Sequence, residues 1–184
     1  MMVGNTAPAF STKAFVDGQV KDISLQDYQD KWVVLFFYAG DFTFVWPTEL
    51  TSIAVRYEDF TKRNAEVLSL SVDSVYSHKI WNEIELSKIV PGGIPYPMLT
   101  DPAGQIGNAY QVYDNEKNLD LRGTFIIDPN GTVQSMEVLG AGVGRNIDEI
   151  IRQLSALQHN AKTQEATPAN WKEGEKSLKG SPDK

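Results

Sequence analysis

The apolar run Trp32 to Tyr38 (WVVLFFY) is rich in β-branched and aromatic residues, the pattern of a strand buried on both faces. From Pro47 onward the period changes. Leu50, Ile53, Ala54, Tyr57 and Phe60 follow helical spacing, which predicts a helix opening at Pro47 with residue 46 at its N-terminal edge. Glu66 to Val72 (EVLSLSV) predicts the next strand. A strand, a helix and a strand in that order imply a right-handed parallel crossover. Ser77 is the expected cap of a further helix reaching about Ser87.

Val90 to Pro102 holds Pro91, Gly92, Gly93, Pro95, Pro97 and Pro102, which predicts a structured loop. Thr124 to Asp128 (TFIID) and Thr132 to Val138 (TVQSMEV) flank Pro129, Asn130 and Gly131, so a hairpin closed by an Asn-Gly turn is expected. Asn146 followed by Glu149 gives a capping box for a helix with Ile147, Ile150, Ile151, Leu154 and Leu157 on one face. Apolar periodicity stops after His159, which predicts a partly mobile tail interrupted around Trp171. Parallel and antiparallel strands interleaved with helices give an α/β sandwich of thioredoxin type, as one domain over residues 1–160 and a tail over 161–184.

Length and composition agree with this picture. The chain has 184 residues, 41% hydrophobic and 22% charged, enough to bury one substantial core. Its net charge of −7 offers no basic footprint for nucleic acid. No apolar run approaches a membrane span and the N-terminus MMVGNTAPAF lacks signal-peptide character, so a cytoplasmic protein without a membrane partner is expected. The chain contains no cysteine, which excludes disulfides, thiolate metal sites and thiol nucleophiles together. His78 and His159 lie far apart without metal-binding spacing, and no metal or other cofactor is expected.

Five segments carry a family resemblance. YAGDFTFVWPTEL (Tyr38 to Leu50), SVDSVYSHKIW (Ser71 to Trp81), YPMLTDP (Tyr96 to Pro102), LRGTFIIDPNG (Leu121 to Gly131) and TPANWKEG (Thr167 to Gly174) occur in that order. The chain resembles a typical two-cysteine peroxiredoxin of the bacterial alkyl-hydroperoxide-reductase type over nearly its whole length. In that family the peroxidatic cysteine stands at the position of Trp46, a proline at Ala39 and the resolving cysteine at Thr167. The resemblance implies that Thr43 hydrogen-bonds the attacking atom and the peroxide. It also implies that Arg122 stabilises the thiolate and the charge on the leaving oxygen, and that Glu49 orients that arginine. Taken from the residues alone, Glu49 equally serves the helix dipole, Thr43 a loop backbone group and Arg122 a solvated surface. His78 and Trp81 read as structural.

Tryptophan offers one N–H donor and no nucleophile at neutral pH, so the chain as written is expected to be inactive by the family mechanism. The indole is expected either to fill the peroxide pocket beside Ala39 or to turn outward and loosen the first helical turn. Three alternatives stay open: an active peroxiredoxin deliberately stripped of both sulfurs, a selenol peroxidase whose selenocysteine is recorded as Trp46, or a non-catalytic holdase. The selenol reading makes Thr167 natural and requires an external thiol. The resemblance further implies a homodimer, decameric rings, a peroxide substrate, and a thioredoxin-like or flavoprotein disulfide reductase as partner. Phe42, Phe44 and Trp46 would crowd the ring contact.

Overall fold

A computed structural model describes residues 2–43 and 46–180, except for the side chain of Trp46. Phe44, which the sequence reading assigned to a ring contact, lies outside the described residues, as does the indole of Trp46. The chain forms two compact units, Met1–Arg145 and Asn146–Lys184.

The first unit is built on a seven-stranded mixed sheet in the order β2-β1-β5-β4-β3-β8-β9. Strands β1 (Ser11–Val16) and β2 (Gln19–Ser24) form a hairpin around Asp17 and Gly18. Both turn residues have positive φ, 51° and 74°, as a two-residue primed turn requires. Strand β3 (Trp32–Phe37) runs parallel to β4 (Ala65–Ser71), and β4 runs parallel to β5 (Met98–Thr100). On the other side β8 (Arg122–Ile127) pairs antiparallel with β3 and with the edge strand β9 (Val133–Leu139). This is the α/β thioredoxin-like arrangement that the pattern predicted.

Period-two alternation splits β3 between two cores. Val33, Leu35 and Phe37 join one buried cluster with Tyr110 and Phe125. There the rings of Phe37, Tyr110 and Phe125 form a triangle with centroids 5.0 to 5.6 Å apart. Phe36 points to the opposite face and meets Phe60 edge-on at 6.5 Å.

Several elements depart from the sequence reading. The helix from residue 46 is broken at Arg56 into α1 (Trp46–Val55) and α2 (Tyr57–Thr61). Arg56 leaves the helical region at φ −99° and ψ 6° while its Nε holds Asp59. The next helix is capped by Ser74 rather than Ser77: the Ser74 hydroxyl accepts the Ser77 amide at 3.1 Å. Helix α3 (Val75–Trp81) then passes through a π-helical turn (Asn82–Leu86) into α4 (Ser87–Ile89). The expected Val90 to Pro102 loop contains β5. Pro97 stands just before that strand, and its carbonyl accepts the Ser69 amide at 3.1 Å, so the missing N–H costs no ladder bond. Helix α5 (Gln105–Ala109) and a small hairpin of β6 (Tyr113–Asp114) and β7 (Leu119–Asp120) lead into β8. The β8–β9 hairpin forms as expected, but its loop is longer than an Asn-Gly turn. Asp128 pins it by accepting the amides of Asn130 and Thr132, and Gly131 adopts φ 78°.

The second unit contains α6 (Ile147–Thr163), which continues past His159. Asn146 caps it by accepting the Glu149 amide at 3.1 Å. The carboxylate of Glu149 bonds Arg152 and Gln153, the partners seen in place of the return half of a capping box. The segment after α6 is tied down. Arg152 donates to the Trp171 carbonyl at 3.0 Å, the Trp171 indole donates to Glu175 O at 3.0 Å, and Ala166 bridges Leu178.

Candidate active site

Residue 46 is the first residue of α1, so its main chain stands at the positive end of a ten-residue helix. The first turn is formed: Thr51 Oγ1 bonds the Pro47 carbonyl at 2.5 Å and Ser52 Oγ that of Thr48 at 2.6 Å. Loosening of that turn is therefore not observed. The buried Tyr96 donates its hydroxyl to Leu50 O at 2.8 Å.

Glu49, one turn into α1, is 5% exposed and receives two guanidinium groups. Arg122 at the start of β8 approaches it through Nε at 3.1 Å. Arg145, at the end of the loop after β9, donates its backbone N–H to Oε1 at 2.7 Å and Nη1 to Oε2 at 2.9 Å. Arg122 Nη1 is further held by the carbonyls of Gly140, Ala141 and Val143. Arg145 is held by Thr124 Oγ1 and by the carbonyls of Phe37 and Gly123, with its guanidinium 5.4 Å from the Phe36 ring centre.

The cluster brings two guanidinium groups to one carboxylate in a buried place, and Glu137 acts on Arg145 as well. Burial, together with the repulsion of Arg122, lowers the Arg145 pKa to about 10 in spite of Glu49. The guanidinium is still charged at neutral pH. Guanidinium groups held out of water favour an anion placed beside them.

Thr43 sits on the exposed loop before α1, and its hydroxyl donates to Gly40 O at 3.0 Å. That bond uses its proton and leaves its oxygen as an acceptor, suited to the O–H of a hydroperoxide. Thr167 belongs to the second unit, half-buried beside the Ala166–Leu178 bridge. The structure thus joins Glu49 and Arg122, and adds Arg145, which the sequence reading missed. Arg145 lies 96 residues from Glu49, in a glycine-rich stretch without periodicity. Its one local signal was a lone cation just before a helix cap.

Comparison with known proteins fits this geometry. Residues 3–136 match the AhpC/TSA family, and residues 156–184 match the C-terminal domain of 1-Cys peroxiredoxin. The chain is 50% identical over 98% of its length to a selenocysteine-containing peroxiredoxin, PrxU, from Peptoclostridium acidaminophilum, and covers 90% of that protein. It is 43% identical to the chloroplastic 2-Cys peroxiredoxin BAS1 of Hordeum vulgare, covering 98% of this chain and 87% of the relative. Among solved structures, the reduced 2-Cys peroxiredoxin of Plasmodium vivax superposes with a TM-score of 0.91 at 37% identity, over 96% of this chain and 92% of the other. AhpC of Enterococcus faecalis gives 0.85 at 36% identity, over 91% and 98%. With the arginine–carboxylate cluster at the start of α1 in place, these similarities settle the family: the chain belongs to the AhpC/TSA peroxiredoxins, and it contains no cysteine.

Proposed function

We propose that this protein is a selenol peroxidase, in which residue 46 of the functional form is selenocysteine and the tryptophan is a reading of its codon. The observation that carries this is the buried cluster of Glu49, Arg122 and Arg145, built one turn into the helix that residue 46 opens, where the written side chain supplies no anion. Two buried guanidinium groups are costly to desolvate, and an anion at residue 46 would offset part of that cost. The selenocysteine-containing relative at 50% identity supports the same reading.

The selenolate attacks one peroxide oxygen and breaks the O–O bond, giving a selenenic acid and an alkoxide that takes up a proton to leave as alcohol or water. The helix N-terminus favours the selenolate, and Arg122 favours the leaving oxygen. Thr43 accepts the hydroperoxide O–H. No cysteine stands at residue 167, so the second half of the cycle uses an external thiol. One thiol condenses with the selenenic acid, releasing water and forming a selenenyl sulfide. A second thiol displaces the selenolate and leaves as the disulfide, the form that a thioredoxin-like or flavoprotein reductase would recycle. Codon 46 of the gene tests the assignment: UGA is expected, and UGG would remove it.

Association into homodimers and rings belongs to the same proposal. The two sheet edges differ: β2 (QVKDIS) carries the charges that blunt an edge, while β9 (VQSMEVL) has one charged residue and leaves its ladder open to a second copy. Tyr76, Ile80 and Ile84, at i, i+4 and i+8, are 51 to 69% exposed, and the exposed Phe42 meets the ring of Trp81 from the same helix at 6.0 Å. An apolar stripe of that size fits a second contact between copies. Ile80→Glu should lower the assembly state in sedimentation velocity by one level, from rings to dimers. An unchanged sedimentation coefficient would count against this surface.

A further inference from the structure

Behind the loop that carries Thr43 runs a buried polar chain that the steps above leave unused. The Tyr38 hydroxyl donates to Asp41 Oδ1 at 2.8 Å, Asp41 Oδ2 lies 2.8 Å from His78 Nδ1, and His78 Nε2 lies 3.0 Å from the Leu99 carbonyl. Tyr38 and His78 are at most 1% exposed and Asp41 is 8% exposed. A carbonyl only accepts, so Nε2 carries a hydrogen, while Nδ1 faces Asp41 Oδ2 and, at 3.3 Å, the Tyr38 hydroxyl. Burial and the charge of Asp41 push the Tyr38 pKa well up, which keeps its hydroxyl a donor.

Asp41 is fixed from its main chain as well. Its N–H donates to Asp73 Oδ2 at 2.8 Å, and Ser71 Oγ holds the same oxygen at 2.8 Å. Asp41 is thus locked between β3, β4 and α3. The residues on either side of it make the approach to the site: Gly40 presents the carbonyl that orients the Thr43 hydroxyl, and Phe42 takes φ 54°, which L side chains rarely adopt. A satisfied buried network selects one geometry of such a loop.

We propose that His78, acting through Asp41, is a positioning residue for peroxide at residue 46, holding Gly40 and Thr43 where the hydroperoxide O–H is received. The inference rests on the reading of residue 46 as the reacting position. A histidine that only stabilises the fold would be buried and bonded in the same way, so the test separates its two nitrogens.

The full-length chain carrying Trp46→Cys serves as background, with His78→Asn or His78→Gln added. The asparagine amide nitrogen replaces Nδ1 and keeps the Asp41 contact, whereas the glutamine amide nitrogen replaces Nε2 and keeps only Leu99. The second-order rate with hydrogen peroxide should fall on the order of 10- to 100-fold in the glutamine variant and stay within about threefold in the asparagine variant. Alkylation of the introduced thiol by iodoacetamide, which needs the thiolate and not Thr43, should keep its rate in both. Equal peroxide rates in the two variants, or parallel losses of peroxide reaction, alkylation and thermal stability, would overturn the proposal. If the background variant itself leaves peroxide unconsumed, the functional reading fails first, and that result is visible before either His78 variant is made.

Discussion

Trp46→Cys alone should turn this chain into a peroxidase. The written protein in excess dithiothreitol is expected to consume hydrogen peroxide no faster than dithiothreitol does. A free thiol with a pKa of about 8.5 is only a few per cent thiolate at neutral pH. With residue 46 at the helix N-terminus and, as proposed, served by the Arg122 guanidinium, the thiolate is favoured, which should raise that fraction at least about tenfold. Donors aimed at the leaving oxygen contribute about another 100-fold or more in the transition state. The second-order rate should therefore exceed that of a free thiol by on the order of 1,000-fold. The dithiol reduces the sulfenic acid, so the absence of a second cysteine does not stop turnover. An introduced thiol that reacts no faster than a free one would show that the arginine cluster does not serve residue 46.

The second large effect lies away from the site. Asp120 in β7 is 1% exposed, and neither of its carboxylate oxygens has a hydrogen-bond partner among the described residues. It fits because Gly107 has no side chain: a Cβ there would collide with Asp120 Oδ1. The nearby Asp101 accepts the amides of Gln105 and Gly107, one on each oxygen. Burial first, then the charge of Asp101, raises the Asp120 pKa from 3.8 to about 8.

Between those two values the native chain holds a proton that the unfolded chain has lost, so stability falls as pH rises from about 4 to about 8. Asp120→Asn keeps the shape and removes the titration. Its melting temperature should draw ahead of the parent's progressively across that window. At pH 8 the gain should be on the order of 3 to 5 kcal/mol, roughly 10 °C for a chain of this length. A constant difference from pH 4 to pH 8 would mean that Asp120 is ionised throughout or solvated. Gly107→Ala should destabilise the parent, and far less so a chain that also carries Asp120→Ala, since the two positions compete for one volume.

The elements legible in the sequence were those whose signals are local. The apolar run at Trp32, the change of period at Pro47 and the strand from Glu66 gave the crossover, and with it the placing of residue 46 at a helix start. Strand β5 was hidden because prolines crowd it in sequence while flanking it in space. Ser74 was passed over for Ser77 because both are serines at plausible cap positions, and the choice depends on which amide is left without a partner. Glu49 and Arg122 were marked by motif, but their company with Arg145 depends on a loop closing over about a hundred residues, which no local pattern records. His78 read as structural; its bonds to Asp41 and Leu99 emerge only when β3, α3 and β5 are side by side.

The proposed selenol at residue 46 is open to direct measurement. Trypsin releases the peptide Trp32–Arg56 from this sequence, with residue 46 inside it. The measurement is the mass spectrum of that peptide from protein isolated from the cells that naturally make it. The isotope envelope of one selenium atom and the mass of selenocysteine at residue 46 are expected. A peptide of the written mass, with tryptophan at that position and no selenium, would contradict it.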